Sequence, residues 1–473
     1  MGYLESFESL IVAFNGIFWG VLMLVPIVGV GLLLTIRLRG IQVRLLPLAI
    51  VKLVRSAGQK ETGREGDISP FQALSTALSG TMGIGNIAGV STAIVLGGPG
   101  AVFWMWMTAV IGMATKYAEA VLAIKYRTRS ADGSMAGGPM YYIEKGLKLR
   151  WLAMVFAFCA LISTIGGAAM PQANSIAHGI TAQLGVEWMA TLPVLGDISL
   201  VSGLIGLAIT VVAGLVVIGG IKRIGRFAAW VIPIMSVLYV GSGLLVMLVN
   251  YRHVPDTIAM IFEYAFSPYA VAGGAVGYAI SDAIRFGVAR GVFTNEAGLG
   301  SAPVAYAASN AKSPVDQGLL AMLEVFIDTI ITCSITAFVV LSSGLWDGGL
   351  KSTALTTAAF SAALGPAGAV IVLVSTVLFG FSTIVGWSYY GEQFSAYILG
   401  PRCKNGFKVV YLLSVLLGSV LGVGLVWEIA DLFNGLMAIP NLIALAALSG
   451  VVVLETRRYF EKGIPAEAEP PRQ

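Results

Sequence analysis

Runs of mostly apolar residues recur along the chain, separated by short polar or basic segments. A membrane-spanning helix needs about 20 such residues. A shorter apolar stretch at 254–269 predicts a re-entrant or surface helix, and IQVRLLPLAIVKLV (41–54) predicts an amphipathic surface helix. The pattern predicts an all-α integral membrane protein with eleven spans, near residues 14–38, 70–97, 101–125, 151–184, 200–220, 225–250, 274–310, 317–344, 364–396, 407–426 and 429–456.

The distribution of Lys and Arg predicts how these spans are oriented. Basic residues concentrate in the loops at 37–64, 125–150, 222–226, 402–408 and 457–458, whereas the loops at 186–199 and 427–431 contain none. Basic loops stay on the cytoplasmic side. If the chain crosses the membrane eleven times, alternation places all the strongly basic loops on the cytoplasmic side. We therefore expect an inner (plasma) membrane protein with its N-terminus outside and its C-terminus in the cytoplasm.

The composition of the chain argues against most other classes of protein. The chain is 57% hydrophobic and 11% charged, whereas soluble domains are about a quarter charged. The three cysteines and two histidines are scattered without metal-ligand spacing. An HExxH sequence and a serine nucleophile elbow are both absent from the sequence, which argues against a membrane enzyme. We expect no organic cofactor, no nucleic-acid partner and no cleaved signal peptide.

The segment LSGTMGIGNIAGV (78–90) predicts an interrupted span. It places four glycines and the polar Asn86 within one apolar run. Each glycine disfavours a helix by about 1 kcal/mol relative to alanine. Unpaired backbone is tolerated at membrane depth only where protein or a wet cavity satisfies it. The alternative is a close crossing of two continuous helices through small residues, which leaves Asn86 unexplained.

A second interrupted span is predicted at FTNEAGLGSAP (293–303), which shares an N-x-A-G core with the first. Gly-interrupted segments at corresponding positions of two halves indicate a transporter site. The implied architecture is a LeuT-type five-plus-five inverted repeat with one extra N-terminal helix. Its parts are 1–67 (the extra helix and a basic cytoplasmic amphipathic segment), 68–250 (first repeat), 251–457 (second repeat) and 458–473 (a cytoplasmic tail). The end of this tail, 463–473, is rich in Pro and Glu and is expected to be disordered.

Two broken helices can recognise a zwitterion without charged side chains. The free amides of Gly83 to Asn86 at a half-helix N-terminus favour a carboxylate. The carbonyls of Val292, Phe293 and Thr294 would suit an ammonium group. A small hard cation needs oxygen ligands, which hydroxyls and carbonyls supply.

Four polar or aromatic positions on other spans could complete the site. Ser382 and Thr383 could face the first break as Na⁺ ligands, or could bond back to their own helix. Trp387 could close a small pocket, pack in the core or belong to an interfacial belt. Gln172, beside a proline, could line the pocket or form an interhelical hydrogen bond.

Charged residues within spans are candidates for function. Lys116 and Glu119 lie three residues apart, which favours a local ion pair. We expect Arg285 and Arg290 to be the partners of Glu324, Asp328 or Glu296, in a structural or gating role. Proton coupling through these acids is an alternative.

Three motifs resemble the alanine or glycine:cation symporter family: 80–127 (GTMGIGNIAGV through AIKYR), GGPMYYIEKGL (137–147) and FTNEAGLGSAPVAYAA (293–308). The resemblance covers approximately residues 14–455. It implies a LeuT-type fold with an added N-terminal helix, and uptake of alanine or glycine with Na⁺ or, in some members, H⁺. With the residue analysis, it gives a candidate substrate set of Thr81, Gly83, Gly85, Asn86, Gln172, Phe293, Thr294, Asn295, Gly298 and Trp387. The candidate Na⁺ ligands are Thr81, Asn86, Ser382 and Thr383.

Sequence alone leaves other functions open. A channel would need an open pore lined by rings of carbonyls or charges, which two antisymmetric broken helices do not suggest. A transporter with another cargo, or one driven by H⁺, remains possible on the same fold. The expected partners are a small amino acid and membrane lipid, and we expect the protein to be a monomer.

Overall fold

The computed structural model describes residues 2–58, 65–186, 188–192, 196–267, 269–270, 277–278, 280–421 and 423–461. It is mostly helical, with α-helices at Gly2–Ile17, Met23–Arg37, Ile41–Arg44, Leu46–Gly58, Pro70–Thr81, Val90–Gly97, Ala101–Tyr126, Pro139–Tyr142, Arg150–Ile162, Met170–Leu184, Leu200–Val217, Gly220–Val249, Val254–Phe266, Ile280–Asn295, Pro303–Ala307, Pro314–Val325, Ser334–Ser342, Ser352–Leu364, Pro366–Leu399, Lys404–Val420 and Val423–Glu461.

Short irregular turns join several of these helices. One-turn 3₁₀ helices lie at Tyr251–His253 and Pro401–Cys403, and π-helical turns lie at Phe18–Leu22, Gly85–Gly89, Ile143–Leu147, Ser163–Ala169 and Phe326–Cys333. Three small antiparallel hairpins were not anticipated by the all-α prediction: Thr128–Arg129 with Met135–Ala136, Met189–Leu192 with Gly196–Ser199, and Tyr269–Ala270 with Gly277–Tyr278. Each hairpin lies in a connection between helices and leaves the helical architecture unchanged.

Among the described residues, eight helices are long and apolar enough to cross a membrane, or nine if the bent pair Pro70–Thr81 and Gly85–Gly97 counts as one span. These match nine of the eleven predicted spans. The predicted span near 14–38 contains the shorter apolar helix Met23–Arg37, which follows a π-helical turn, and the helix of the predicted span near 274–310 ends at Asn295. Eleven crossings therefore stay a prediction.

One helix was not expected from the sequence. A 13-residue helix at Ser352–Leu364 was missed, because it is too short for a span and begins in a polar loop. Its Thr356 hydroxyl donates to the Ile87 carbonyl at 2.9 Å, so it packs on the segment beyond the first break. The last helix ends at Glu461, and the segment 463–473, expected to be disordered, lies outside the described residues.

Burial separates central helices from peripheral ones. In the most apolar part of Ala101–Tyr126, 83% of residues are buried, whereas for Gly220–Val249 the share is 28%. The peripheral helices expose large apolar side chains such as Leu215, Trp230 and Val237. Exposed apolar area of this extent marks an interaction surface.

The start of the helix before the first break is fixed by local chemistry. Ser69 accepts a hydrogen bond from the Gln72 amide (3.2 Å), and the Gln72 side chain accepts one from the Ser69 amide (3.0 Å). Pro70 occupies the first helical position, where its missing N–H costs nothing. This capping box anchors the half-helix that leads to the break.

Candidate functional site

The first predicted break is present. Helix Pro70–Thr81 ends, and the chain resumes from Gly85 with its axis bent by 51°. The Asn86 side-chain oxygen accepts a hydrogen bond from the Gly83 amide (2.9 Å), and Gln172 Oε1 accepts one from the Ile84 amide (3.0 Å). Two side chains thus satisfy the amides that the break leaves unpaired. The alternative of a continuous helix crossing is wrong.

The second predicted break is also present. Helix Ile280–Asn295 ends, and Glu296, Gly298 and Gly300 adopt φ values of +53°, +92° and +87°. These left-handed conformations cannot continue a right-handed helix. The Asn295 side-chain oxygen accepts from the Ala297 amide at 3.0 Å, which stabilises the turn. Non-helical backbone here is satisfied by protein, as a membrane environment requires.

The two interrupted segments run antiparallel. Ile68, before the first break, forms a bridge with Ser309, after the second. At the opposite end, a methyl group added at Gly97 would lie 3.0 Å from the carbonyl oxygen of Asp282. Between these ends the breaks touch, because a methyl group on Gly85 would approach the Thr294 methyl to 2.9 Å. Glycine at 85 therefore permits the close approach.

A small cavity of about 20 Å³ lies where the breaks meet. That is room for about one water molecule, too little for an amino acid. Seven of the predicted site residues line it: Thr81, Gly83, Gly85, Gln172, Phe293, Thr383 and Trp387. The remaining lining residues are Gly80, Gly167, Ala168, Glu296 and Asn434. A bound substrate would need the wall to move, and the flexible Gln172 side chain can leave the Ile84 amide.

The other five predicted residues lie behind the cavity wall and support it. Asn86 Nδ2 donates to Asp328 Oδ1 at 2.7 Å, and Asn295 Nδ2 donates to the Thr329 hydroxyl at 3.3 Å. The Thr294 hydroxyl donates to the Gly291 carbonyl at 2.9 Å. Asn441 Nδ2 donates to the Gly298 carbonyl at 2.9 Å. Ser382 is fully buried against Met235. These contacts position both breaks from outside the cavity.

The two hydroxyls proposed for Na⁺ differ in placement. Ser382 and Thr383 both donate to the Phe379 carbonyl, at 2.9 and 3.0 Å, so the back-bonding alternative holds for each. A back-bonded hydroxyl keeps its oxygen lone pairs for a cation. Thr383 Oγ1 lies 3.4 Å from the Met82 carbonyl at the first break, whereas Ser382 Oγ lies 3.6 Å from Met235 Sδ. Thr383 lines the cavity, and its hydroxyl oxygen lies next to the Met82 carbonyl oxygen of the first break.

Trp387 is a wall of the cavity and not a residue of an interfacial belt. Its side chain is 2% exposed. The indole N–H donates to Glu296 Oε1 at 3.0 Å, and the ring packs edge-on against Tyr390. A buried indole N–H requires such a partner. Trp387 thereby joins helix Pro366–Leu399 to the second break.

The expected pairing of the buried charges is wrong in each case. Lys116 pairs with Glu324 at 2.9 Å and not with Glu119, whose carboxylate accepts from Asn441. Asp328 accepts from Asn86 and from the Thr329 hydroxyl (2.7 Å). Within the described part of the chain, neither Glu324 nor Asp328 pairs with an arginine, because Lys116 and Asn86 reach them from other helices.

Both arginines contact other elements of the chain. Arg290 pairs with Asp431 at 3.0 Å, and Arg285 donates to the Gly16 carbonyl at 3.1 Å. The π-helical turn Phe18–Leu22 contributes a further contact, because the Trp19 indole N–H donates to the Asp431 carbonyl (2.8 Å). The N-terminal segment therefore contacts Asp431, which forms an ion pair with Arg290 of the second interrupted helix.

Sequence reasoning missed Glu296 and Asn434 as cavity residues. Glu296 lies inside the motif that predicted the second break, and this position was the one feature of the sequence that could have indicated a role in the cavity. Asn434 accepts a hydrogen bond from the Ser163 hydroxyl at 2.7 Å. It lies in a long apolar run, where no sequence motif marks it as a cavity residue. Gly167 and Ala168 occupy the π-helical turn Ser163–Ala169, which an apolar pattern does not reveal.

Apolar helices with two antiparallel interrupted segments around a small polar cavity define a multi-pass membrane transporter. The chain belongs to the sodium:alanine symporter family, whose sequence model matches residues 4–471. Members of this family are transporters and not enzymes, and the family description implies coupling to Na⁺.

Relatives and a solved structure agree with this assignment. The chain is 45% identical over 464 residues to the sodium/alanine symporter AgcS of Methanococcus maripaludis, covering 96% of this chain and 98% of that one. It is 36% identical over 457 residues to the probable sodium/glutamine symporter GlnT of Bacillus subtilis, covering 96% and 91%. The crystal structure of MhsT in complex with L-phenylalanine matches with a TM-score of 0.51 at 15% identity, covering 83% and 98%. That structural likeness concerns the fold alone.

Proposed function

We propose that this protein carries out Na⁺-coupled symport of a small neutral amino acid, alanine or glycine, across the inner membrane by alternating access. The observation that carries the proposal is the cavity between two antiparallel breaks, whose wall contains backbone amides, the Thr383 hydroxyl and a tryptophan. The named function of the 45% identical relative AgcS supports it.

In the proposed complex the substrate carboxylate lies at the first break. When Gln172 turns away, the Ile84 amide becomes free beside the half-helix N-terminus, where the helix dipole favours an anion. The Na⁺ ion lies against Thr383 Oγ1 and the Met82 carbonyl, with Thr81 and Asn86 close along the same segment. Binding the ion beside the carboxylate links the two affinities, since each charge stabilises the other.

Substrate size is proposed to be limited by the cavity wall. Phe293, Trp387 and Ala168 surround a space that already lacks room for alanine, so every added side-chain atom needs further displacement. One methylene group changes binding by about 1–3 kcal/mol. Alanine and glycine should therefore both bind. Glutamine, the substrate named for a relative at 36% identity, should bind less well.

The predicted topology completes the proposal. We infer that the repeats are 68–250 and 251–457, that the N-terminus lies outside, and that the protein acts as a monomer with its exposed apolar helices in contact with lipid. The antiparallel course of the two interrupted segments supports the repeat assignment, since inverted halves enter the membrane in opposite directions.

Alternating access requires a barrier on each side of the cavity. We assign the outer barrier to the Arg290–Asp431 ion pair, with Arg290 stacked on Phe293 at 5.6 Å. We assign the inner barrier to Arg127, which donates to the Glu65 carbonyl (3.1 Å) and to the Ser309 carbonyl. These contacts link the segments before the first break and after the second, so opening would separate them.

Uptake into proteoliposomes tests the proposal. With labelled alanine, an imposed Na⁺ gradient should drive accumulation above equilibrium, and an H⁺ gradient applied separately should drive much less. Labelled glycine should compete, and glutamine should compete weakly. Equilibration without accumulation under either gradient would indicate a channel. Accumulation driven by H⁺ alone would keep the transporter and reject Na⁺ as its coupling ion.

A further inference from the structure

Glu296 is a buried carboxylate in the cavity wall whose direction is set by the second break. It is the first residue after helix Ile280–Asn295, and its backbone is left-handed without being glycine. Its amide donates to the Val292 carbonyl (2.8 Å), and its carbonyl accepts from the Leu299 amide (3.2 Å). Both ends of the residue are fixed. A strained, fixed conformation of this kind points to a function for the side chain.

The carboxylate accepts two hydrogen bonds from neutral groups. Trp387 Nε1 donates to Oε1 at 3.0 Å, and the Ser301 hydroxyl donates to Oε2. The side chain is 5% exposed. Among the described residues, no Lys or Arg lies within ion-pair distance of it. Two neutral donors orient the carboxylate but leave its charge uncompensated.

The surrounding charges do not balance. Lys116 interacts electrostatically with Glu324, Glu119 and Glu296, so one cation serves three acids. Its ammonium group is already bonded to Glu324 at 2.9 Å. A buried charge is costly unless it is paired, and an ionisable residue at membrane depth is a candidate for function. A further cation or proton is therefore required in this region.

Glu296 is the member of this group that such a cation can reach. Among the described residues that line the cavity, it is the only ionisable one. The Met82 carbonyl, which is suited to Na⁺, belongs to the first break, and the Thr383 hydroxyl of helix Pro366–Leu399 lies beside it, whereas Glu296 belongs to the second break. An amino acid held with its carboxylate at the first break would direct its ammonium group towards the second.

We propose that Glu296 is the counter-charge of the substrate's α-ammonium group, an inference that rests on the proposed amino-acid transport. The ammonium group has three donors, which Glu296 Oε1 and the carbonyls at the end of helix Ile280–Asn295 would accept. The carboxylate makes the site selective for zwitterions, because an acid without an ammonium group would bring a second negative charge into a buried space. Trp387 holds Glu296 in place from across the cavity.

Equilibrium binding of labelled alanine in detergent with saturating Na⁺ tests this inference. Glu296→Gln should weaken alanine binding by about 100-fold, as expected when one partner of a buried charge pair is removed. Na⁺ binding, followed by intrinsic tryptophan fluorescence without substrate, should be unchanged. Lactate, in which a hydroxyl replaces the ammonium group, should compete relatively better in Glu296→Gln than in the wild type. Glu296→Asp, which keeps the charge, should retain the preference for alanine over lactate.

Controls separate the outcomes. Glu392→Gln removes another buried carboxylate, which pairs with Lys408 at 3.2 Å away from the cavity, and should bind alanine normally. Alanine affinity that is unchanged in Glu296→Gln, or lost together with the Na⁺ response, would overturn the inference. If Glu296→Gln does not fold, competition in the wild type decides: lactate binding within about 10-fold of alanine would overturn it. Failure of the wild type to bind alanine at all would instead reject the proposed function.

Discussion

Replacing Asn86 with alanine is expected to abolish Na⁺-driven accumulation of alanine. Asn86 is fully buried and bonds in two directions, accepting from the Gly83 amide and donating to Asp328. Its removal leaves both partners unsatisfied, at a cost of roughly 1–3 kcal/mol each. Because the first cost falls on the amides that would receive the substrate carboxylate, we expect the loss in transport as well as in stability. Uptake into proteoliposomes measures it.

Ser91→Ala is the matched control for this variant. Ser91 is also fully buried and polar, lies on the same half-helix and bonds to Thr356 at 2.6 Å, but it does not line the cavity. We expect it to retain transport. Near-normal accumulation by the Asn86→Ala protein would contradict the assignment of the first break as the substrate site, whatever the control shows.

Replacing Lys116 with methionine is expected to lower the free energy of unfolding by about 3–5 kcal/mol. Lys116 and Glu324 are both fully buried and lie 2.9 Å apart. The substitution leaves the Glu324 charge without its cation, with the Tyr306 hydroxyl as its remaining strong partner. Denaturation of the purified protein in detergent, at constant lipid content, measures the change.

The double variant Lys116→Met with Glu324→Gln distinguishes the ion pair from simple packing. Removing both charges eliminates the uncompensated carboxylate, so we expect the double variant to recover most of the stability lost by the single one. A single variant that loses less than about 1 kcal/mol would contradict a stabilising role for the Lys116–Glu324 ion pair.

Local chemistry explains why both breaks could be predicted from the sequence. Gly83, Gly85 and Asn86 lower helix stability whatever surrounds them, and Gly298 and Gly300 adopt backbone conformations that favour glycine. Span positions followed from apolar runs alone. Of the seven predicted cavity residues, Thr81, Gly83, Gly85 and Phe293 lie on the interrupted segments themselves. Gln172, Thr383 and Trp387 were predicted because they are polar or aromatic positions on other spans.

Long-range pairing could not be predicted in the same way. Spacing suggested Lys116 with Glu119, but the partner is Glu324, 208 residues away. The rotation of a helix about its axis, which sequence does not reveal, determines which side chains face the cavity. Ser382 and Thr383 are neighbours on the same helix, yet of these two residues Thr383 alone lines the cavity. Glu296 was predicted as an arginine partner, because sequence does not reveal that Arg290 reaches Asp431 instead.

A structure determined with alanine and Na⁺ bound tests the central claim most directly. We expect the alanine carboxylate at the amides near Gly83 and Ile84, its ammonium group at Glu296, and a cation against Thr383 Oγ1 and the Met82 carbonyl, with Gln172 displaced. Alanine bound elsewhere, with the cavity between the two breaks still closed, would contradict it.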